Sequence, residues 1–382
     1  MKGEGALGPG TRLRERRAVK AGGLTIGGKA PVSVQGMTKC DSHDERALRE
    51  QVSRLAGAGC EIVRIAVPDR EALEPFGAVA RESPIPVVAD IHFDFRLALG
   101  ALEAGAHKIR INPGNIGEAG RVRAVAAAAL ERGVPIRVGV NSGSLEKDLL
   151  EEYGGPTARA LVESARRHVV MLEDAGFRDI VISLKSSRVP VMVEAYRIAA
   201  GEFQYPLHVG VTETGAGMPG IVKSAAGIGV LLLDGIGDTI RVSLTGDPVQ
   251  EVLVGQQILV AAGLRKGRPE IISCPTCGRC AADVAAVADE LRRRLEADKP
   301  DLTVAVMGCE VNGPGEAREA DVGIAIGKGR AAIFIDGEVF KSVPLDRVVD
   351  ELVSAVRERA ARRAVSEGCG FGRSGAAGGP GA

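Results

Sequence analysis

The chain has 382 residues, of which 45% are hydrophobic and 26% are charged, a balance typical of a folded protein. Lysine and arginine together number 49, as do aspartate and glutamate, and the zero net charge argues against a nucleic-acid or anionic-membrane binder. No apolar run reaches ~18 residues and no secretory signal is recognisable, which predicts a cytoplasmic protein that does not enter a membrane.

Eight short segments rich in β-branched residues alternate with segments of helical pattern over about the first 260 residues of the chain. The predicted strands are 31–37, 61–67, 86–92, 108–112, 135–140, 179–185, 206–213 and 238–244. Intervening segments such as 45–58 and 157–175 have helical periodicity, and Gly or Pro often precedes the return to a strand. Eight β/α units predict a closed, TIM-like (β/α)₈ barrel, with a doubly wound open sheet as the alternative.

A second, smaller α/β unit is predicted after the barrel and closes with a helix over 345–362. The predicted organisation is an N-terminal extension (1–23), the substrate-binding barrel (24–262), a polar linker (263–270), the second unit (271–362) and a tail (363–382). The tail is rich in glycine and of low complexity, so we expect it to be disordered.

Basic residues recur within or at the ends of the predicted strands, among apolar neighbours. They are Arg64, Arg110, Arg137, Lys185 and Arg241. Because the strands of a barrel end at one mouth, we expect these cations to converge there, and several buried cations are costly unless a polyanion neutralises them. The guanidinium fork matches phosphate oxygens, which predicts a phosphorylated substrate. For any one of these residues, a salt bridge inside the barrel is the alternative.

Uncharged and acidic residues accompany these cations at the strand ends. Asn141 follows the predicted strand 135–140, whereas Thr212 and Glu213 end the strand 206–213 and Ser243 lies near the end of 238–244. A lone carboxylate among cations suits proton transfer, so Glu213 is a candidate acid or base. A structural ion pair with one arginine is the alternative role for Glu213.

Cysteines cluster in the second unit, in the segments SCPTCGRC (273–280) and GCEVNGPGEARE (308–319). The C-x₂-C spacing of Cys274 and Cys277 suits zinc or an iron–sulfur cluster, with structural zinc as the simpler choice. Two ligand sets are open at this point. Adding Cys280 and Cys309 gives an all-thiolate site suited to electron transfer. Replacing Cys280 by Glu316 gives a site with one exchangeable carboxylate, which suits a metal that takes part in chemistry.

These segments resemble the 4-hydroxy-3-methylbut-2-enyl diphosphate synthase family, iron–sulfur enzymes of the non-mevalonate isoprenoid pathway, in its short bacterial-type form. The matching segments are VSVQGMT, ADIHFDFRLAL, KIRINPGNIG, RVGVNSGSL, ISLKSS, YPLHVGVTE, GIGDTIRVSL, SCPTCGR and MGCEVNGPGEA. They extend from residue 31 to residue 327, which is most of the chain. The resemblance implies a barrel followed by a cluster domain.

The resemblance also implies roles for individual residues. Cys274, Cys277 and Cys309 would hold a 4Fe–4S cluster, with Glu316 as the fourth ligand and as a catalytic group. Glu213 would be the catalytic proton handler. The implied substrate contacts are Arg64, Arg110, Arg137, Asn141, Lys185, Thr212, Arg241 and Ser243. Cys280 stands where the family commonly has a residue such as Thr, but the motif that carries Glu316 is intact.

The implied reaction is the reductive ring opening of 2-C-methyl-D-erythritol 2,4-cyclodiphosphate. It consumes two electrons and releases water, giving 4-hydroxy-3-methylbut-2-enyl diphosphate. A flavodoxin or ferredoxin would donate the electrons, because the sequence has no flavin or nicotinamide motif. The rival from another class is a non-catalytic electron carrier, or a zinc-stabilised phosphate-binding protein.

Chain geometry predicts the assembly. The helix after the eighth strand would deliver the linker to the base of the barrel, ~20 Å from the mouth. The linker 263–270 would cover that distance only if it were almost fully extended. We therefore predict a head-to-tail homodimer in which the second unit of one chain serves the barrel mouth of the other, as the resemblance also implies.

Overall fold

The computed structural model describes residues 16–92, 94–112, 119–265, 269–298 and 300–368. The chain forms two compact units that divide between Arg265 and Lys266. Part of the predicted linker and the tail beyond Gly368 lie outside the described residues. Over the described ranges, none of the helices combines the length and the apolar character needed to cross a membrane.

The first unit contains a hairpin and eight further strands. The hairpin comprises β1 (Ala18–Ala21) and β2 (Leu24–Gly27); the others are β3 (Ser33–Met37), β4 (Ile62–Ala66), β5 (Val87–Asp90), β6 (Lys108–Ile111), β7 (Ile136–Asn141), β8 (Ile180–Lys185), β9 (His208–Val209) and β10 (Thr239–Ile240). The eight pair in parallel in the order β8-β7-β6-β5-β4-β3-β10-β9. A parallel bridge between Ile182 and Leu207 joins the two ends of this order. The prediction of a (β/α)₈ barrel is confirmed, and an open sheet, which would keep two free edges, is excluded.

Helices surround the barrel and cover the outward side chains of its strands. They are α1 (Glu45–Gly57), α2 (Leu73–Glu82), α3 (Phe95–Glu103), α4 (Ala119–Arg132), α5 (Lys147–Glu152), α6 (Ala158–Asp174), α7 (Val189–Glu202), α8 (Gly217–Leu233) and α9 (Pro248–Ala261). The side chains of Asp44, Thr157 and Asp247 cap three of their N-termini by accepting main-chain N–H groups. Apolar residues at helical spacing, such as Leu48, Val52 and Leu55 of α1, are buried. The packing of these apolar helix faces on the barrel holds the strands in position, and with them the loops that follow the strands.

The hairpin closes the base of the barrel, and the sequence analysis did not predict it. Val19, Ala21 and Ile26 form one buried apolar cluster with residues of β4, β5 and β8. Its first residues fall in the predicted N-terminal extension, where strands as short as Ala18–Ala21 carry too little alternation to be recognised. Solvent is therefore excluded from the barrel interior at this end.

The inward-facing side chains form layers of four, each contributed by alternate strands, as the strand register requires. From the base upward the layers are Ile62, Lys108, Val181 and Thr239; then Gln35, Val88, Arg137 and His208; then Arg64, Arg110, Ser183 and Arg241; and then Met37, Asp90, Gly139 and Gly210. A barrel of eight strands is usually filled by apolar side chains. Here every layer contains a charged side chain, and three arginines share the layer of Arg64, Arg110 and Arg241, which marks the mouth end as the functional one.

The second unit is a five-stranded sheet with helices on both faces. Its elements are β11 (Glu270–Ser273), α10 (Val284–Leu295), β12 (Thr303–Met307), α11 (Gly313–Glu319), β13 (Val322–Ile326), β14 (Arg330–Ile335), β15 (Glu338–Pro344) and α12 (Val348–Gly368). Strands β11, β12 and β13 are parallel, whereas β14 and β15 are antiparallel and are joined by a turn at Asp336 and Gly337. One core packs α10 and α12 on the sheet, and a smaller one packs α11 on the opposite face. Helix α12 runs past its predicted end at Arg362.

Candidate active site

The barrel mouth brings together the cations that the sequence analysis selected. Arg64, Arg110 and Arg241 share one layer, Arg137 lies one layer deeper, and Lys185 ends its strand nearer the opening. All five are buried, and Arg137 is only 1% exposed. Neighbouring strands also place Arg110 and Arg137 side by side, as register partners. Like charges this close repel each other, so the mouth favours an anionic ligand.

Asp90 is the carboxylate around which part of the cluster is arranged. It accepts a hydrogen bond from Arg110 Nη1 at 3.2 Å, and its second oxygen lies 3.7 Å from Arg64 Nε. His92, which is half exposed, also contacts Arg110 Nη1 at 3.1 Å. Although burial by itself would raise the pKa of Asp90, Arg64 and the other basic groups hold it well below its ordinary value. Asp90 is therefore ionised and orients two guanidinium groups.

A second buried carboxylate, Glu251 of α9, holds Arg241. Its oxygens accept hydrogen bonds from Arg241 Nη2 at 3.2 Å and from the main chain of Leu244 at 2.9 Å. Lys39 also reaches Glu251, at 2.9 Å, and donates to the carbonyl of Leu244 at 2.6 Å. Burial and the charge of Arg64 lower the pKa of Arg241 to about 10. The loops after β3 and β10 are thus tied together around one guanidinium.

Two glycines make room for the long basic side chains. A Cβ on Gly139 would lie 2.5 Å from Arg110 Nε, and one on Gly210 would lie 3.2 Å from Lys185 Nζ. The absent side chains let Arg110 and Lys185 cross the neighbouring strands toward the centre of the mouth. Burial and the charge of Arg241 lower the pKa of Lys185 well below its ordinary value. An anion beside Lys185 would oppose that shift.

The loop after β9 carries Thr212 and Glu213. Glu213 is exposed and has a φ of 53°, a left-handed conformation that is strained for a residue with a Cβ. The next residue, Thr214, donates its hydroxyl to the carbonyl of Ser243 and so anchors the loop to the segment after β10. Asn141 is half buried at the end of β7, as the register partner of Lys185. These residues border the cations without neutralising them.

The charges inside the barrel do not balance. Apart from the Arg16–Asp238 pair, the buried charged residues of the strands and of α9 comprise six basic side chains and two carboxylates. The basic ones are Arg64, Lys108, Arg110, Arg137, Lys185 and Arg241, and the acidic ones are Asp90 and Glu251. A ligand with several negative charges would supply the missing counter-charge. The mouth is therefore suited to a diphosphate.

The cysteine segments of the second unit meet at one edge of its sheet. Cys274 follows β11, and Cys309 comes two residues after β12. The two strands are parallel neighbours, so their carboxyl ends emerge side by side. A cavity of about 210 Å³ opens there, and its lining includes Cys274, Cys277, Cys280, Cys309 and Glu316. Both predicted ligand sets therefore face one space within this unit.

Two of these thiols are surrounded by groups that stabilise the thiolate. Main-chain N–H groups of Asn312, Val311 and Gly313, at the start of α11, lower the pKa of Cys309. Arg279 Nε donates to Cys277 Sγ at 3.4 Å and lowers the pKa of that thiol. Thiolates are the form that binds soft metals. The chemistry of the cavity therefore fits an iron–sulfur group.

Cys280 has a different environment from the other cysteines of the cavity. Its thiol donates to the carbonyl of Ala282 at 3.1 Å, although its side chain packs against the larger core of the second unit, as that of Cys274 does. By contrast, Cys274 Sγ accepts an N–H from Gly308 at 3.3 Å. Among the described residues, no three His, Cys, Asp or Glu side chains converge on a common metal position. The cavity gathers the donors without fixing a coordination geometry.

Several residues at the mouth were missed by the sequence analysis. Gln35 accepts from Arg137 Nη1 at 3.0 Å, and Met37 Sδ accepts from Arg64 Nη2 at 2.7 Å. Lys108 is fully buried in the barrel, and it shares the inward parity of Arg110, two residues away in β6. Because residues two apart in a strand face the same side, the sequence could have shown that Lys108 points into the barrel. Glu251 lies on a helix, where nothing in the local pattern indicates that it reaches the mouth.

The fold and the mouth together define a barrel enzyme for an anionic substrate. The chain matches the model described as "GcpE TIM-barrel domain" over residues 16–256 and that of the "GcpE protein C-terminal domain" over residues 270–358. The chain therefore belongs to the GcpE family.

Curated relatives support the same conclusion over nearly the whole chain. A protein of Geobacter sulfurreducens is 56% identical over 342 residues, which cover 90% of this chain and 97% of the relative. A protein of Clostridium acetobutylicum is 54% identical, with 90% and 98% covered. A protein of Symbiobacterium thermophilum is 54% identical, with 91% and 94% covered. All three are named 4-hydroxy-3-methylbut-2-en-1-yl diphosphate synthase (flavodoxin). The family and the oxidoreductase class predicted from the sequence are confirmed.

The glycine that makes room for Arg110 generates a first prediction. Gly139→Ala should weaken the binding of inorganic pyrophosphate about tenfold or more, because the added Cβ displaces the Arg110 guanidinium from the mouth. The control is Gly229→Ala in helix α8, where an added Cβ meets no atom within 4 Å. Isothermal titration of pyrophosphate into each protein measures the difference. Equal affinities for both variants would contradict the assigned position of Arg110.

The thiol environments generate a second prediction, for the metal-free protein. Because their pKa values are lowered, Cys277 and Cys309 have a larger thiolate fraction at neutral pH than an ordinary cysteine. A short iodoacetamide pulse at increasing pH, followed by peptide mass spectrometry, should therefore label them first. Cys60 is the internal control, since burial raises the pKa of its thiol to about 11. Labelling of Cys60 before Cys309 would refute the assignment.

Proposed function

We propose that this chain catalyses the reductive ring opening of 2-C-methyl-D-erythritol 2,4-cyclodiphosphate. The substrate takes up two electrons and two protons, loses water and becomes 4-hydroxy-3-methylbut-2-enyl diphosphate. The observation that carries the proposal is the excess of buried cations at the mouth of a GcpE-family barrel, whose curated relatives bear the corresponding enzyme name. Free thiols and a reduced electron donor suit the reducing conditions of the cytoplasm.

The cations bind the diphosphate and stabilise it as a leaving group. Ring opening breaks a carbon–oxygen bond and leaves negative charge on a phosphate oxygen. Hydrogen-bond donors that are already in position stabilise this charge without having to move. Arg64 and Arg110 are preorganised by Asp90, and Arg241 is preorganised by Glu251. We assign diphosphate binding to Arg64, Arg110, Arg137, Asn141, Lys185, Thr212, Arg241 and Ser243.

Glu213 is assigned to proton handling. It is exposed at the mouth opening, and the anchoring of Thr214 to the Ser243 carbonyl restrains the loop that carries it. Its backbone has a left-handed conformation, which is strained, and such a conformation persists only where the surrounding structure imposes it. In this position its carboxyl group can deliver a proton to a departing hydroxyl without itself being paired to a mouth arginine.

We assign the cysteine cavity to a 4Fe–4S cluster held by Cys274, Cys277, Cys309 and Glu316. When bound, such a cluster supplies electrons singly and a Lewis-acidic iron. The carboxylate of Glu316 is the hard, exchangeable member of the set. The hydrogen bond from the Cys280 thiol to the Ala282 carbonyl supports a Cys280 that lies outside the ligand set. Flavodoxin is the proposed electron donor, in keeping with the relatives' names, and ferredoxin is the alternative.

We propose a head-to-tail homodimer, and the place where the chain leaves the barrel supports this proposal. Arg265 donates to the carbonyl of Val32 at 2.7 Å and to Glu61 at 2.8 Å, and both partners precede strands at the base. The mouth lies at the other end of the strands, so we propose that the partner's cluster unit serves it. Self-association is further supported by the large apolar side chains that α8 exposes, such as Met218 and Leu233.

Turnover tests the proposed function. Anaerobically purified, iron-loaded protein with reduced flavodoxin should convert the cyclic diphosphate, and Glu316→Ala should lower that rate about 100-fold or more. The matched control is Glu319→Ala, an exposed carboxylate at the end of the same helix α11, which should keep wild-type turnover. Iron content is measured on every variant.

Two results would contradict the function. Wild-type protein with a full cluster and no turnover would exclude the reaction. Full turnover by Glu316→Ala would exclude the mixed ligand set and would fit an all-thiolate electron carrier instead. A colourless protein that binds zinc through its native cysteines would favour the zinc-stabilised phosphate-binding rival.

Mixed dimers test the assembly. A Cys309→Ala chain lacks a competent cluster unit and a Lys185→Ala chain lacks a competent barrel, so each alone should be inactive. Random mixing should restore roughly a quarter of wild-type turnover, because one site in each mixed dimer combines two intact parts. Native mass spectrometry of differently tagged chains verifies that the mixed dimers exist. Mixed dimers without turnover would show that the site does not cross between chains.

A further inference from the structure

The two lowest layers of the barrel, with Ser33 of β3 just beneath them, contain polar side chains of which only Arg137 has a part in the proposed reaction. Each carries a buried nitrogen or oxygen atom with no hydrogen-bond partner in the described part of the chain. The atoms are Ser33 Oγ, Gln35 Nε2, Lys108 Nζ, Arg137 Nε, both ring nitrogens of His208, and Thr239 Oγ1. We call these six residues the inner polar cluster. Buried polar groups are usually satisfied, so the cluster requires a ligand.

The strand register places the members of the cluster together. Ser33, Thr239 and His208 are register partners on three adjacent strands. Gln35 and Arg137 share a layer and are joined across the barrel by a hydrogen bond of 3.0 Å. Lys108 shares a layer with Thr239, and its inward direction follows from that of Arg110, two residues away on the same strand.

The cluster is closed on both sides. Below it, Val19 and Ile26 of the hairpin pack with apolar residues of the lowest layer, such as Ile62 and Val181. Above it lies the layer of Arg64, Arg110 and Arg241. Lys108 and His208 are 0% exposed. A ligand at this level is therefore enclosed by protein and lies beneath the groups assigned to the diphosphate.

The unpartnered atoms are almost all donors. An ammonium group, an amide nitrogen and a guanidinium nitrogen can only donate, and hydroxyl groups and a neutral imidazole can also donate. The three buried carboxylates described in the barrel are already bound: Asp90 by Arg110, Glu251 by Arg241, and Asp238 by the main-chain N–H of Leu207. The missing partner is therefore an acceptor, and the surrounding charge favours a negative one.

The charges around Lys108 agree with this inference. They come from Arg137 on β7 and Arg64 on β4, and both are basic. Burial, followed by the charge of Arg137, lowers the pKa of Lys108 well below its ordinary value. A negative ligand beside the ammonium group would offset both effects.

We propose that the inner polar cluster binds a small monoatomic anion of the halide class between Lys108 and His208, separately from the substrate site. The narrow interior of an eight-stranded barrel, shared here with a lysine and an arginine, favours a monoatomic ion over a polyatomic one. The bound anion supplies counter-charge to Arg137 from below, whether or not a diphosphate occupies the mouth. The proposal does not depend on the proposed reaction.

Bromide is the probe, because its anomalous scattering distinguishes it from water. Crystals of the protein grown in sodium bromide should show an anomalous peak within hydrogen-bonding distance of Lys108 Nζ and His208. Density at that place without anomalous signal would mean that water satisfies the cluster, and would overturn the proposal. A bromide peak confined to the region of Lys185 would overturn it as well, because that ion belongs to the mouth.

Thermal unfolding gives the solution test. The melting temperature of the wild-type protein should rise as bromide replaces gluconate at constant ionic strength, because a ligand of the folded state stabilises it. Lys108→Met should lose this rise, whereas Lys29→Met, at an exposed lysine after the hairpin, should keep it. Thr239→Val, which keeps the shape and removes one donor, should shift the half-saturating bromide concentration upward several-fold.

Lys185→Met separates the two anion sites. It removes a cation of the mouth, so it should leave the bromide dependence in place if the ion binds to the inner polar cluster. Loss of the dependence in Lys185→Met, or its persistence in both Lys108→Met and Thr239→Val, would overturn the proposal. Neither outcome bears on turnover, which is measured separately.

Discussion

The confinement of basic side chains inside a narrow barrel is the constraint on which the rest of this structure depends. Arg64, Arg110, Arg137 and Arg241 occupy two adjacent layers of an interior that apolar residues usually fill. Their desolvation is unfavourable, and two carboxylates offset only part of it. The remaining positive charge is available to a ligand, which makes the mouth an anion site before any reaction is considered.

That constraint explains features that would otherwise look unrelated. Gly139 has no side chain because Arg110 passes where a Cβ would be, and a Cβ on Gly210 would meet the Arg241 carbonyl at 2.5 Å and Lys185 Nζ at 3.2 Å. Glu251 is buried on a helix because Arg241 needs a partner that leaves part of its guanidinium available. The hairpin at the base excludes solvent from that end, which strengthens every electrostatic interaction inside the barrel. Each feature supports the same cluster of charges.

The two sites of the chain follow one topological rule. In both units, parallel neighbouring strands deliver their carboxyl ends to the same edge, so residues far apart in sequence meet there. In the barrel this gathers five basic residues from five strands. In the second unit it brings the loop of Cys274, after β11, beside the loop of Cys309, after β12. The start of α11 then supplies main-chain N–H groups that favour the thiolate of Cys309.

The local sequence pattern was enough to identify the eight barrel strands, the segments that carry the cysteines and Glu316, and the basic residues at the strand ends. These features are visible in the sequence because periodicity and residue type depend only on near neighbours in the chain. Only the tertiary structure decided which groups pair. The Asp90 contacts with two arginines, the reach of Glu251 from α9 and the enclosure of Lys108 depend on strand register and barrel closure. The paired residues lie 10 to 26 positions apart in the chain, on different structural elements. No local pattern records these pairings, because they arise only when the sheet closes on itself.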